Sequence, residues 1–256
     1  MKRMKIYFYV LIGLMLSCQK ETNQEEDNAV INAQKTEWLS ANLDAKFAGS
    51  QKLVTAYLLS VKEMRPLLEA PEITQVRFVL GYADNTVQIT LQGVDKSGNE
   101  LGSVKSTILK NPDYLSELSA IKELSASKTS KKTVLLNSHL WSPADAFKGI
   151  EQWQQKLNTV DGVEEAISFE GKRFRHFTLE AEIIREMLSK DIANIGVFLG
   201  LNQQEKVTTI LIGLDKNNKI KKNVLTAKQT GTGEGGDEEE VEEVDVYDGT
   251  RPSPPF

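Results

Sequence analysis

The chain has 256 residues and one cysteine, Cys18, so an intramolecular disulfide is excluded. Histidine is nearly as scarce: His139 and His176 are the only two, and neither has metal-binding spacing around it. Nucleophile elbows, HExxH patterns and phosphate-cradling glycine loops are missing. On that ground no catalytic residue, cofactor or metal ligand is expected, and the ligand-binding residues stay unassigned. The longest apolar run, residues 6–16, has eleven positions, against the roughly 20 a membrane-spanning helix needs. A basic field is lacking too. Of 31 basic and 36 acidic residues, Lys2, Arg3 and Lys5 belong to the extreme N-terminus, while nine acids and Arg251 fall within 229–256. Residues 18–228 are left with 27 of each sign, so nucleic acid is not an expected partner.

What is present begins with the N-terminus. Three basic residues, the apolar run 6–16 and then Ser17 and Cys18 lay out a secretory signal peptide over residues 1–17. MLSC, residues 15–18, resembles a relaxed bacterial lipobox, with Met15 and Leu16 where Leu and a small residue are usual. That resemblance implies a lipid thioether on Cys18 and a membrane anchor, each buried CH₂ adding roughly 0.8 kcal/mol. Residues 18–28 form an acidic tether. Its opening, CQKE, resembles the export signal that places lipoproteins of Bacteroidetes-type bacteria on the outer face of the outer membrane. The implied location is therefore the outer membrane, lipid-anchored and facing outward.

The region 229–256 reads as a disordered tail, with Gly at four of the six positions 231–236 and then an acidic run. A solvated tail, a divalent-cation sink and a hook for a basic partner are the readings it allows.

The body carries a repeat. RFVLGYADNTVQITLQGVDKSGN at 77–99 returns as VFLGLNQQEKVTTILIGLDKNN at 197–218. Phe78 aligns with Val197, Gly81 with Gly200, Gly93 with Gly213 and Asp95 with Asp215, at an offset of 119 before the loop and 120 after it. Period-two apolar spacing bounded by Gly, Asn and Asp predicts antiparallel strands. Third strands are expected at 101–108 and 220–226. Helices are expected upstream of each hairpin. SVKE at 60–63 reads as a capping box, with Pro66 shortening that helix, and Thr178 as the N-cap of LEAEIIREMLSK. Further upstream come VINAQKTEWLSANL with Trp38, and a helix starting at Ser142 and Pro143 with Phe147, Ile150, Trp153 and Leu157 as its apolar stripe. The expected fold is α+β, a tandem duplication of a helix–helix–antiparallel-sheet unit. Its boundaries are 29–112 for unit 1, a Ser/Lys-rich loop-like linker at 113–137, and 138–228 for unit 2. Beyond the tether, the strand blocks resemble lipoproteins of the same bacterial group, a likeness that implies no activity.

Candidate chemistry is thin. Asp95, Ser97 and Asn99 have the alternating spacing of a calcium loop, but Asp215, Asn217 and Lys219 put an ammonium in the third place, so hairpin turns are expected. Ser138 beside His139 makes no pair, because sequence neighbours point apart. Glu164 with Glu165 and Glu180 with Glu182 read as surface acids. KRFRHF, residues 172–177, is the one dense basic-aromatic patch; contact with lipid head groups, an anionic sugar or the acidic tail is weighed against a plain strand edge. The resulting expectation is a non-enzymatic binding or scaffolding module. The alternatives are an accessory subunit docked on an outer-membrane protein and, third, an enzyme of carbohydrate or peptide turnover. Functional residues are to be sought where the two copies disagree.

Overall fold

A computed structural model describes residues 29–126, 133–227, 239–248 and 251–254. The signal peptide, Cys18 and the tether lie outside these residues.

Helix α1 covers 29–40 and buries Ile31 and Trp38. Asp44 opens α2 (Ala45–Lys52), its carboxylate accepting from the backbone N–H of Lys46 and Phe47 at 2.9 and 3.1 Å. Strand β1 (Ala56–Ser60) runs straight into α3 (Val61–Leu68), which is followed by a hairpin of β2 (Gln75–Ala83) and β3 (Thr86–Val94). Strands β4 (Glu100–Lys105) and β5 (Thr107–Leu109) come next. A connecting region follows: α4 (Tyr114–Ser119), a 3₁₀ turn (Ala120–Glu123), β6 (Ser125–Ala126), α5 (Val134–His139), α6 (Pro143–Lys156), α7 (Val163–Ala166) and the small hairpin β7 (Ser168–Phe169)–β8 (Lys172–Arg173). Then the first pattern returns. Strand β9 (His176–Glu180) runs into α8 (Ala181–Leu188), and β10 (Asn194–Leu201) and β11 (Val207–Leu214) form a hairpin. Strands β12 (Asn223–Ala227), β13 (Glu239–Val244), β14 (Val246–Asp248) and β15 (Arg251–Ser253) complete the set. The class is α+β.

Two five-stranded antiparallel sheets hold the fold, and each draws strands from both halves of the chain. Sheet A runs β14-β11-β10-β1-β5, and sheet B runs β15-β9-β2-β3-β4. Strand β1 leaves its own half to pair with β10, and β9 leaves its half to pair with β2. The exchange keeps register: Ser60 lies opposite Asn194 as Glu180 lies opposite Gln75, and Tyr57 opposite Val197 as Phe177 opposite Phe78. The outer strands repeat the pattern, with Leu58 against Thr107 and Thr178 against Arg251. Next to the hairpins, Leu91 faces Val104 and Leu211 faces Tyr247. The units expected at 29–112 and 138–228 therefore do not close on themselves.

The inner faces of both sheets meet in one core. Val76, Phe78, Leu80 and Leu91 of sheet B join Ile195, Val197, Leu199 and Leu211 of sheet A, with Met64 from α3 and Ile183, Ile184 and Met187 from α8. A second cluster lies on the outer face of sheet A, where Phe198, Ile210, Ile212 and Leu214 meet Tyr114 and Leu118 of α4 and Phe147 and Ile150 of α6. Burying each such side chain contributes about 1.5–3 kcal/mol.

Several expectations need correction. The tail is not disordered over 239–248 and 251–254: it holds β13, β14 and β15, and Val244, Val246 and Tyr247 are buried. Four consecutive residues, Val244 to Tyr247, are buried here, and the acid among them, Asp245, pairs with Lys190. The third strand beside β11 is β14, not 220–226; Asn223–Ala227 pairs with β13 instead. The other expected third strand breaks at Ser106, beyond which β5 crosses to sheet A. Much of the 113–137 linker is helical. Thr178 is a strand residue and α8 starts after Glu180; neither Glu180 nor Ser60 makes a side-chain cap bond. Helix α3 tolerates Pro66 at the same eight-residue length as α8. Ser142 does cap α6, with Pro143 next, and its predicted apolar stripe is buried.

Candidate functional site

The outer faces of the two sheets are built from equivalent positions and differ in chemistry. On sheet A these positions are Ala56, Leu58, Gly196, Phe198, Ile210 and Ile212, packed beneath α4 and α6 with the Tyr114 ring stacked 5.9 Å from Phe198. The matching positions of sheet B are His176, Thr178, Arg77, Val79, Thr90 and Gln92. Over sheet B, α1 crosses close to Gly81: a Cβ there would come within 2.9 Å of Gln34 Cβ. In sheet A, α6 crosses Gly200 in the same way, and a Cβ there would meet the backbone of Gly149 at 3.1 Å. The close approach of a helix to the sheet requires glycine at both places.

Beside α1 this leaves a cleft of about 410 Å³ over sheet B, lined by Lys35, Arg77, Gln92, Glu100, Arg175 and His176 among others. A second cleft of about 530 Å³ shares Leu39 and Arg175 with it and adds Lys172 and Ser253. The wall between helix and sheet is fastened by backbone acceptors. Trp38 Nε1 donates to the Phe174 carbonyl at 2.7 Å, and Arg173 Nη1 donates to the Trp38 carbonyl at 2.6 Å. Arg173 is neutralised by Glu164 through a two-pronged contact at 2.7 and 2.5 Å, and its guanidinium lies 5.5 Å from the Trp38 ring.

The remaining cations have no such partner. Among the described residues, neither Lys35, Arg77 nor Arg175 has a carboxylate within 4.0 Å. Arg77 donates from Nη1 to the Gly98 carbonyl at 3.2 Å, while its Nε is buried with no acceptor among the described residues. Gln92 is 4% exposed, and its side-chain amide has no hydrogen-bond partner among the described residues. Burial, then the charges of Arg77, Lys35 and Arg175, pull the His176 imidazole down to about 4. It is therefore neutral near pH 7. Positive charge, a spare buried amide and a neutral imidazole line a single opening, a composition suited to an anion that also forms hydrogen bonds.

A smaller cleft of about 280 Å³, beside Met187 and Tyr247, also holds charged groups, but they cancel. Lys190 pairs with Asp245 there, and Lys221 lies 2.8 Å from Asp191.

Most residues singled out in the sequence lie away from the open cleft. His139 Nε2 is 3.4 Å from Glu180 Oε2, and Glu180 is also bound by Arg251. Ser138 Oγ donates to the Leu135 carbonyl, not to His139. Glu164 takes Arg173, Glu165 lies 4.0 Å from Lys206, and Glu182 accepts from Thr133. The Asp95 and Asp215 loops are turns of one design: Oδ1 of Asp95 accepts from the N–H of Ser97 and Asn99, both at 2.8 Å, and Oδ1 of Asp215 from Asn217 and Lys219 at 2.7 and 2.9 Å. Donation from the Asn99 side chain holds the Asp95 carboxyl below its usual range, and donation from the Lys219 N–H does so for Asp215. No group of three metal-ligating side chains occurs among the described residues, and none of their helices is long and apolar enough to cross a membrane.

KRFRHF does reach the clefts, through Lys172, Arg173, Arg175 and His176. Its Lys172 and Arg173 form β8, an edge of the two-stranded β7-β8 sheet, as expected, whereas His176 and Phe177 are not at an edge, since β9 has β15 on one side and β2 on the other. Lys35, Arg77, Gln92 and Glu100 were missed by motif reading. The available signal was the disagreement between copies, with Arg77 set against Gly196 and Gln92 against Ile212. Compared with protein-family models, curated proteins and solved structures, the chain matches none.

Proposed function

We propose that this chain is an outer-membrane lipoprotein, anchored through Cys18 and facing the cell exterior, that acts as a non-enzymatic binding module for an anionic ligand held over sheet B. The observation that carries the binding assignment is the contrast between equivalent faces. Where sheet A places Gly196, Ile212 and Ala56 under covering helices, sheet B places Arg77, Gln92 and His176 around an opening. A fold that needed these positions only for packing would favour the apolar set in both sheets, because a buried amide such as Gln92 and the enclosed Nε of half-buried Arg77, each lacking a partner among the described residues, cost stability. The anchor rests on the lipobox-like MLSC and the tether.

Two measurements test the reading. Labelled palmitate should enter the wild-type chain and not Cys18→Ser, and protease added to intact cells should cleave the protein; full protection until lysis overturns outward display. For the cleft, the soluble chain from residue 19 onward is titrated with pyrophosphate while the His176 ring is followed by NMR. A bound anion should raise its titration midpoint, and an unmoved midpoint at saturating pyrophosphate overturns the anion site.

A further inference from the structure

The groups around the cleft specify more than negative charge. Gln92 is buried at the floor, and its amide brings two donors and one acceptor into the opening. A bare anion offers acceptors alone, so it can take the amide N–H groups but leaves Oε1 without a donor. A hydroxyl both donates and accepts, and so satisfies Gln92 on either side. Neutral His176 has the same dual need, with one ring nitrogen donating and the other accepting. The cation side is supplied by the Arg77 and Arg175 guanidiniums, whose planar forks match carboxylate or sulfate.

Size and continuation add to this. The cleft of about 410 Å³ is of the scale that holds a small organic ligand. Leu39, 44% exposed, and Arg175 border both this cleft and the neighbour of about 530 Å³, where Lys172 and Ser253 repeat the pairing of a cation with a hydroxyl-reading group. Leu39 provides an apolar step between them for the C–H face of a ring. Ile212, at the position of Gln92 in sheet A, presents no such groups.

We infer that the paired clefts bind an acidic saccharide of more than one unit, its carboxylate or sulfate on Arg77 and Arg175 and an adjacent hydroxyl on Gln92. This rests on the anion-binding reading above, and the test separates the two. Calorimetric titrations use a hexuronate tetrasaccharide, the same tetrasaccharide with its carboxyls reduced to alcohols, a sulfated oligosaccharide, and inorganic tripolyphosphate. The expected result is binding of the hexuronate or the sulfated oligosaccharide and none of the reduced form. Arg77→Gln and Arg175→Gln should each weaken it about ten-fold or more, the loss expected for a charged hydrogen bond. Gln92→Leu should weaken the saccharide similarly and tripolyphosphate by a clearly smaller factor, since a bare anion uses the amide N–H groups alone. Gln92→Met, which keeps the length and removes the amide without adding a charge, serves if Gln92→Leu fails to fold. If tripolyphosphate alone binds, or Gln92 variants leave saccharide affinity untouched, the saccharide inference falls and the anion site stands. If no probe binds, both fall.

Discussion

Arg65 and Arg185 close each other's helices. Arg65, on α3, donates from Nη2 to the carbonyl of Leu188, the last residue of α8, at 3.0 Å. Arg185, on α8, donates from Nε to the carbonyl of Leu68, the last residue of α3, at 2.8 Å. The two arginines stand 120 positions apart, the spacing that also relates Leu68 to Leu188 at the ends of the two helices. Each brings a cation to the negative end of the helix opposite, where the final carbonyls lack intrahelical donors.

The pair is not equal in weight. Arg185 also donates from Nη2 to the carbonyls of Ala70 at 3.2 Å and Ile73 at 2.8 Å, fixing the turn that leads into β2. Arg185→Ala should therefore lower unfolding stability by about 2–3 kcal/mol, and Arg65→Ala by about 1 kcal/mol. Urea unfolding followed by circular dichroism reads both, and equal losses would refute the asymmetry.

The strand exchange predicts fragment behaviour. Residues 29–126 and 133–254 should each lack cooperative unfolding alone, since β1 would miss β10 and β9 would miss β2. Co-expressed, the two should co-purify as a one-to-one complex. A cooperative transition in either fragment by itself would contradict the interlocked arrangement.

His176 predicts a pH dependence. Its imidazole sits at about 4 in the folded chain against 6.5 otherwise, facing Lys35 of α1, Arg77 of β2 and Arg175, with Glu100 of β4 the one acid lining the cleft among the described residues. Between those values the unfolded chain takes up a proton that the folded chain refuses, so stability rises with pH across that window. His176→Asn should flatten the profile there, measured as the difference in Tm between wild type and variant from pH 4 to 7. Parallel profiles would remove His176 as the cause.

The repeated Asp turns predict indifference to calcium. One oxygen of Asp95 and one of Asp215 are already occupied by backbone N–H groups. Adding about 1 mM calcium, enough to fill weak extracellular sites, should leave Tm unchanged. A rise that disappears in Asp95→Asn would restore the metal reading.

The parts legible in the sequence were those that depend on near neighbours. The hairpin turn at Asp84 and Asn85, both with positive φ, follows from local residue chemistry, as does Ser142 at the head of α6. The longer loop of the second copy is visible in the chain as well, where Asn202 Oδ1 accepts from Gln204 and Lys206. What escaped was decided at long range. Nothing near Tyr57 announces that its neighbour is Val197, and nothing in DEEEVEEVDVYD except three valines and a tyrosine announces a strand beside β11. The cleft escaped for a related reason. Lys35, Arg77, Gln92 and Glu100 belong to different elements, and motif scans read residues that are close along the chain.

The exchanged strands also set an order in time. When a chain emerges N-terminus first, β1 and β2 are complete early, yet neither gains its exchanged neighbour until residues 176–201 have followed. The β1–β10 contact closes a loop of about 140 residues, a slow step compared with hairpin closure. Through that interval Tyr57, Leu59, Val76 and Phe78 sit on open strand edges, the kind of surface that pairs with strangers. The nascent protein should therefore depend on holding chaperones until its second half is out, and variants that delay β9 or β10 should aggregate during synthesis even where the finished fold is stable.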